Sequence, residues 1–175
     1  SIPIMLVGYL LIKLNLIEQL RNIKVIGWMT IIFGLLLFFS DRCKINKVVE
    51  KEFNYKTAMF IGLFQILALV PGVSRSGIAI TAARILKYDR FSSAKISFLL
   101  SIPTLAAVSL FGIKNLVTSE DLNFSILNLI SIFLSFIFSY ITIKFFMKYI
   151  QNFSLNIFVI YRIVLGMILL ILSYL

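Results

Sequence analysis

The chain has 175 residues, of which 61% are hydrophobic and 14% are charged, whereas soluble domains carry about 25% charged residues. This composition excludes an ordinary water-soluble domain. The 17 lysines and arginines give a formal net charge of +10, but they lie mostly between apolar runs, as in the loops of membrane proteins. A nucleic-acid partner is therefore not expected. These residues also include no histidine and one cysteine, which excludes imidazole chemistry and an internal disulfide.

The first third of the chain predicts two helices and two connections. Residues 2–12 are apolar but too short to cross a bilayer, and the chain begins with Ser1, so we expect it to start inside a helix of a longer protein. A polar connection at 13–24 precedes an apolar span at 25–40. A charged loop at 41–56 follows.

The middle of the chain predicts a helical hairpin that enters the membrane without crossing it. The apolar stretches 57–70 and 74–86 are each too short to cross about 30 Å of hydrocarbon, and Pro71-Gly72 separates them. Such a re-entrant hairpin is tolerated only where protein or a water-filled cavity surrounds its tip. Two tilted full spans are the alternative.

Three longer apolar runs complete the chain, at about 96–113, 126–146 and 155–175, and each predicts a membrane span. The most basic loops are 41–56, 87–95 and 144–152, which places them in the cytoplasm by the positive-inside rule. The fold class is therefore predicted to be an all-α, polytopic integral membrane protein.

Weak internal similarity suggests an inverted repeat. Residues 8–13 resemble 139–144, and residues 33–35 resemble 165–167. This divides the chain into the end of a first repeat at 1–53 and a second repeat at 54–175, which holds the hairpin 57–87 and three spans. With an odd number of crossings the second copy is inverted, and the hairpin of the first copy would precede Ser1.

Arg75 is the most informative residue, because it lies in an apolar region where an ionised side chain costs roughly 2.5–3.5 kcal/mol. Guanidinium binds phosphate in bidentate fashion. Arg75 is therefore predicted to bind an anion. A plain helix break, with Arg75 paired to an acid, is the structural alternative.

The neighbours of Arg75 favour the same ligand. Gly72 permits a tight turn, and Ser74 is placed to cap a helix whose first N–H groups bind anions. Ser76 adds a hydroxyl, and Gly77 allows a ligand to approach the backbone. We predict Arg75, Ser74 and Ser76 as catalytic residues. The predicted substrate-binding residues are Gly72, Gly77, Thr81 one helical turn further on, and Gln65 on the first half of the hairpin.

Three segments resemble the undecaprenyl-diphosphatase family of bacitracin-resistance proteins: 61–77, which ends in PGVSRSG, 97–103 (SFLLSIP) and 161–166 (YRIVLG). The resemblance implies removal of the terminal phosphate of undecaprenyl diphosphate, which regenerates a lipid carrier for cell-wall synthesis, in the bacterial inner membrane. It implies a divalent cation, Mg²⁺ or Ca²⁺, and an acidic motif and a histidine outside these residues, so we assign no metal ligand and expect the fragment alone to be inactive. Ala79 stands where many members have threonine.

The residues leave three points open. Inverted repeats with broken helices also occur in transporters, so a lipid or anion flippase is the alternative function. The nucleophile is Ser74, Ser76 or water, since no base is visible beside the serines. The expected partners are the diphosphate lipid and the bilayer, with a homodimer as one option for the assembly.

Overall fold

The computed structural model describes residues 2–13, 21–45, 47–118 and 126–175, and their regular structure is helical. The helices in chain order are α1 (Ile2–Lys13), α2 (Ile23–Asp41), α3 (Val49–Glu52), α4 (Tyr55–Phe64) continued by a 3₁₀ turn (Gln65–Leu69), α5 (Arg75–Ile85), α6 (Arg90–Thr118), α7 (Ile126–Asn152) and α8 (Asn156–Tyr174). The predicted connection at 13–24 is described only at its ends, and the loop with Glu120 and Asp121 lies outside the described residues.

Four of the described helices, α2, α6, α7 and α8, are long and apolar enough to cross a membrane. The prediction of an all-α, multi-pass membrane protein is confirmed. Helix α6 begins at Arg90, earlier than the predicted 96, because Asp89 caps it: its Oδ1 accepts a hydrogen bond from Ser92 N at 2.8 Å and its Oδ2 one from Ser92 Oγ at 2.6 Å. Helix α7 likewise continues to Asn152, through the residues predicted as a loop.

The predicted hairpin is present as two short helical segments joined by a turn. Helix α4 and its 3₁₀ extension form the first half, and α5 forms the second. Buried side chains hold the halves together, among them Ile61 on α4 and Ala79 and Ala82 on α5. Entry of the hairpin from one side of a bilayer stays a prediction.

Helices α2 and α8 pack antiparallel at very short range, because glycines line their contact. A β-carbon on Gly27 would lie 2.9 Å from Leu170, one on Gly166 would lie 2.5 Å from Ile31, and one on Gly34 would lie 3.3 Å from Arg162. Small residues permit such close approach between membrane helices. Gly34 and Gly166, which the predicted repeat matches to each other, both lie in this contact, and the repeat itself stays a prediction.

A buried ionic cluster joins the end of α2 to the hairpin. The Asp41 side chain is 4% exposed; it accepts two hydrogen bonds from Arg90, at 2.8 and 2.9 Å, and lies 3.4 Å from Arg84 Nε. Arg84 also donates to the carbonyls of Tyr88 and Cys43. The Leu155 N–H, just before α8, donates to Asp41 at 3.4 Å. The Asp41 carboxylate thus contacts the end of α5 in the hairpin, the start of α6 and the residue just before α8.

Candidate functional site

The turn between the two halves of the hairpin lies against the backbone of α2. Gly72 has a positive φ of 92°, and a β-carbon on it would lie 2.5 Å from the Ile26 carbonyl oxygen. The Gly72 carbonyl accepts hydrogen bonds from Arg162 Nη2 at 2.9 Å and from Thr30 Oγ1 at 3.4 Å. These contacts hold the turn against α2 and α8, and they require a residue without a side chain at position 72.

Replacing Gly72 with alanine is expected to destabilise the protein by more than about 1–2 kcal/mol, the usual cost of a left-handed conformation for a residue with a β-carbon. Contact with Ile26 adds to that loss. Gly112→Ala in α6 is the matched control, because nothing lies within 4 Å of its β-carbon position. Thermal unfolding in detergent measures both variants, and an equal melting temperature for the two would contradict the packing described.

The predicted cap is present at the start of α5. Ser74 Oγ accepts a hydrogen bond from Gly77 N at 3.1 Å, and it lies 3.3 Å from Ser76 Oγ. Helix α5 thus begins with two adjacent hydroxyls, together with the positive end of the helix dipole. This end of the helix suits an anion.

Arg162 on α8 reaches the same helix end, although it lies far from the turn in sequence. It is 9% exposed; its Nε donates to the Thr30 carbonyl at 3.3 Å, and Nη2 donates to Gly72. Its Nη1 lies 3.4 Å from the position of a β-carbon on Gly77. Arg162 was not among the site residues predicted from the sequence. The signal that identified Arg75, a charge inside an apolar span, applies equally to Arg162.

A cavity of about 340 Å³ joins these groups. Ser74, Ser76, Gly77 and Arg162 form its polar part. Its apolar part comes from five helices, and its remaining lining residues are Leu37, Ile80, Phe98, Thr142, Ile143, Phe146, Leu155, Phe158 and Tyr161. None of the described lining residues is acidic. The cavity is therefore amphiphilic, with a hydrogen-bond-donating, positive end and an apolar body.

Arg75 is not among the residues that line this cavity. Its Nη2 donates to the Ser101 carbonyl on α6 at 2.9 Å. Its Nε is buried and has no hydrogen-bond partner among the described residues. The two arginines thus differ: Arg162 lines the cavity together with Ser74 and Ser76, whereas Arg75 donates to α6 and its Nε has no partner among the described residues.

Of the predicted substrate-binding residues Gly77, Thr81 and Gln65, only Gly77 lines the cavity. Gly77 lines the cavity, where a β-carbon would crowd Ser74 at 3.1 Å. Thr81 is 2% exposed, and its hydroxyl donates to the Gly77 carbonyl at 2.8 Å. Gln65 is 1% exposed, and neither amide atom finds a hydrogen-bond partner in the described part of the chain. Neither Thr81 nor Gln65 lines the cavity.

The three segments that carry the family resemblance meet at this turn. Ser97 Oγ donates to the Ser76 carbonyl at 3.2 Å, and Ser101 accepts from Arg75, so 97–103 packs on the turn. Arg162 brings 161–166 to Gly72. Segments far apart in sequence therefore build one site.

The described residues that line the site do not include the usual ligands of the divalent cation that the resemblance implies. The described lining residues supply hydroxyls and a guanidinium, whereas Mg²⁺ and Ca²⁺ are held mainly by carboxylates, carbonyls and water. In the described ranges, no three residues of the types His, Cys, Asp and Glu lie together as a metal-binding group. No step is therefore assigned to a cation.

Comparison with known proteins gives one family. Residues 1–168 match the model of the family described as bacitracin resistance protein BacA. The chain is 52% identical over 176 residues to the undecaprenyl-diphosphatase of Pelagibacter ubique strain HTCC1062, covering 99% of this chain and 68% of that protein. It is 37% identical over 174 residues to the undecaprenyl-diphosphatase of Jannaschia sp. strain CCS1, covering 99% of this chain and 65% of the relative. The chain thus spans about two thirds of the length of these relatives.

Proposed function

We propose that this chain, which belongs to the bacitracin resistance protein BacA family, acts in the hydrolysis of undecaprenyl diphosphate to undecaprenyl phosphate and inorganic phosphate. Relatives that carry the name undecaprenyl-diphosphatase align over 99% of the chain. The proposed location is the bacterial inner membrane, where the monophosphate product serves again as a lipid carrier for cell-wall synthesis.

One observation carries the proposal: two serine hydroxyls 3.3 Å apart, a helix N-terminus and a guanidinium share a cavity whose other walls are apolar. A diphosphate bears negative charge, and its lipid is apolar, so the two ends of the substrate match the two parts of the cavity. The serine hydroxyls and Arg162 donate hydrogen bonds to phosphate oxygens.

In the proposed reaction, water adds to the terminal phosphorus and the bond from that phosphorus to the bridging oxygen breaks. The bridging oxygen leaves with the lipid monophosphate. Donors already fixed in place stabilise the charge that develops on these oxygens, commonly the largest contribution to catalysis. Ser74, Ser76 and Arg162 are assigned this role, and the unpartnered Nε of Arg75 is assigned a second contact to the diphosphate.

Hydrolysis is preferred to the flippase alternative because the relatives are named as phosphatases. The broken hairpin alone fits both functions, since transporters use helix ends in the same way. Release of free phosphate distinguishes them, because transport leaves the diphosphate intact.

The test uses a chimera in which this chain replaces the aligned segment of the Pelagibacter ubique relative. The purified chimera is expected to release phosphate from undecaprenyl diphosphate in detergent. Ser76→Ala is expected to lower kcat/KM by about 10- to 100-fold, the loss of one hydrogen bond to a charged group. Ser76 is chosen because the capping hydroxyl of Ser74 stays in place.

Ser109→Ala is the matched control, because Ser109 is an exposed serine on α6 outside the cavity. Its phosphate release should equal that of the unaltered chimera. A folded chimera that releases no phosphate, beside a relative that does, would contradict the proposed function. Movement of intact diphosphate lipid across vesicles by that chimera would support the flippase.

A further inference from the structure

Helix α6 contacts the turn of the hairpin at two adjacent residues. Arg75 Nη2 donates a hydrogen bond to the Ser101 carbonyl at 2.9 Å, and Ser97 Oγ donates one to the Ser76 carbonyl at 3.2 Å. Because Ser97 and Ser101 are one helical turn apart, they lie on the same face of α6. One face of this helix therefore binds the side chain of Arg75 and the main chain of Ser76.

Pro103 interrupts the helical turn of α6 that contains Ser101. Proline has no N–H, so the Leu99 carbonyl lacks the amide donor that an α-helix supplies from one turn further on, and the proline ring crowds that carbonyl. A break of this kind opens the turn and leaves its carbonyls accessible to other donors. The Ser101 carbonyl oxygen has two lone pairs, so it can accept from Arg75 as well as from its own helix.

Side-chain donors reach the carbonyls around this break. Ser101 Oγ donates to the Phe98 carbonyl at 2.6 Å. Thr104 Oγ1 donates to the Leu100 carbonyl at 2.9 Å. Such bonds from serine and threonine to the preceding turn bend helices, and they satisfy main-chain groups that a proline has freed. The bond from Arg75 to Ser101 belongs to the same series, so three carbonyls of this turn accept from side chains.

Pro103 can act on the site through the backbone of α6, because its own side chain is exposed. Two other residues of the segment, Ser97 and Thr104, are only 3% and 7% exposed. Replacing an exposed proline with alanine removes little buried surface. It restores an N–H group for the Leu99 carbonyl, and it is therefore a direct test of the break in the helix.

We propose that α6 positions Arg75 for the diphosphate, with the break at Pro103 presenting the Ser101 carbonyl to the guanidinium. The bond to Ser101 fixes Nη2 and so orients Nε, which is buried and has no partner among the described residues, for a phosphate oxygen. Pro103 is thus a positioning residue that acts through Arg75. This inference rests on the proposed function for its ligand, and it adds a residue that does not line the cavity.

The first measurement is the mobility of the Arg75 side chain in the chimera, from NMR relaxation of the arginine Nε–H groups in nanodiscs. The Arg75 signal is the one that Arg75→Lys removes. Its order parameter is expected to be about 0.8 or more in the unaltered chimera, as for rigid groups, and to fall below about 0.6 in Pro103→Ala. This readout requires no activity.

The second measurement is phosphate release from undecaprenyl diphosphate. Pro103→Ala is expected to lower kcat/KM by about 10- to 100-fold, because displacing a catalytic group by about 1 Å costs up to that factor. In the Arg75→Lys background the same substitution should change kcat/KM by less than about twofold, since the residue through which it acts is gone. The melting temperature should not fall, because proline is the least favourable residue in a helix interior.

Gly112→Ala is the matched control. It also raises the helix propensity of α6, but nothing lies within 4 Å of its β-carbon position. It should change neither the order parameter of Arg75 nor kcat/KM.

An unchanged Arg75 order parameter in Pro103→Ala, or equal losses of kcat/KM in the two backgrounds, would overturn the inference. A fall in melting temperature that accompanies the loss of activity would also overturn it, because Pro103 would then have a purely structural role. If the unaltered chimera releases no phosphate, the proposed function fails, and the order parameter alone then supports or rejects the positioning of Arg75 by α6.

Discussion

Replacing Arg162 with lysine in the chimera is expected to lower kcat/KM for undecaprenyl diphosphate by about 10²–10³-fold, the effect of removing one preorganised donor from an active site. Lysine keeps the charge, but it cannot hold the carbonyls of Thr30 and Gly72 with two nitrogens while a third faces Gly77. Phosphate release under steady-state conditions measures the loss, and circular dichroism checks that the variant is folded.

Arg75→Lys provides the comparison, because its guanidinium is held by Ser101 on the side of α6 and lies outside the cavity. Because the unpartnered Nε of Arg75 is assigned a contact to the diphosphate, kcat/KM of Arg75→Lys is expected to fall by a similar factor. A rate within about twofold of the unaltered chimera would leave the phosphate contacts to Arg162 and the serines alone. A folded Arg162→Lys variant with full activity would contradict the assignment of Arg162.

The local structure of the turn followed from sequence because it depends on neighbouring residues. The capping serine, the glycine with positive φ and the start of α5 at Arg75 belong to one short segment, and their chemistry has few alternatives. The membrane spans were predictable for a similar reason, since a long apolar run has no other stable fold in a bilayer. Some described helix ends differ from the prediction, as in α6, where the cap from Asp89 extends the helix into a basic segment.

The composition of the cavity did not follow from sequence, because it depends on how distant helices pack. Ser74 and Arg75 are adjacent, yet only Ser74 lines the cavity. Two contacts between distant helices decide this difference. The Ser101 carbonyl on α6 binds Arg75, and the close glycine contacts bring α8 with Arg162 to the turn. No periodicity in α8 alone distinguishes Arg162 from an arginine at a membrane surface.

Gln65 is buried on the first half of the hairpin, and its amide group has no hydrogen-bond partner among the described residues. A buried amide without partners costs about 1–3 kcal/mol, and the described residues offer Gln65 none. The same holds for Nε of Arg75, on the other half of the hairpin. Unsatisfied polar groups on both halves fit a hairpin that binds a polar ligand, which is the reason that Arg75 stays in the proposal although it lies outside the cavity.

Replacing Asp41 with asparagine is expected to destabilise the protein by about 3–5 kcal/mol, the usual cost of removing one partner from a buried ion pair. The Arg84 side chain, 1% exposed, would then lose its carboxylate, and Arg90 would lose a bidentate partner. For a chain of this size, that corresponds to a fall in melting temperature of roughly 6–20 °C. Thermal unfolding of the detergent-solubilised chain measures it.

Glu52→Gln is the matched control, because it also removes one carboxylate charge but at an exposed position, where the expected change is within about 0.5 kcal/mol. Asp41 and Arg84 join the end of α2 to the end of α5, whose other end carries Ser74 and Ser76. Loss of Asp41 should therefore also weaken phosphate binding at temperatures below the transition. A melting temperature equal to that of Glu52→Gln would show that the cluster does not hold the hairpin in place.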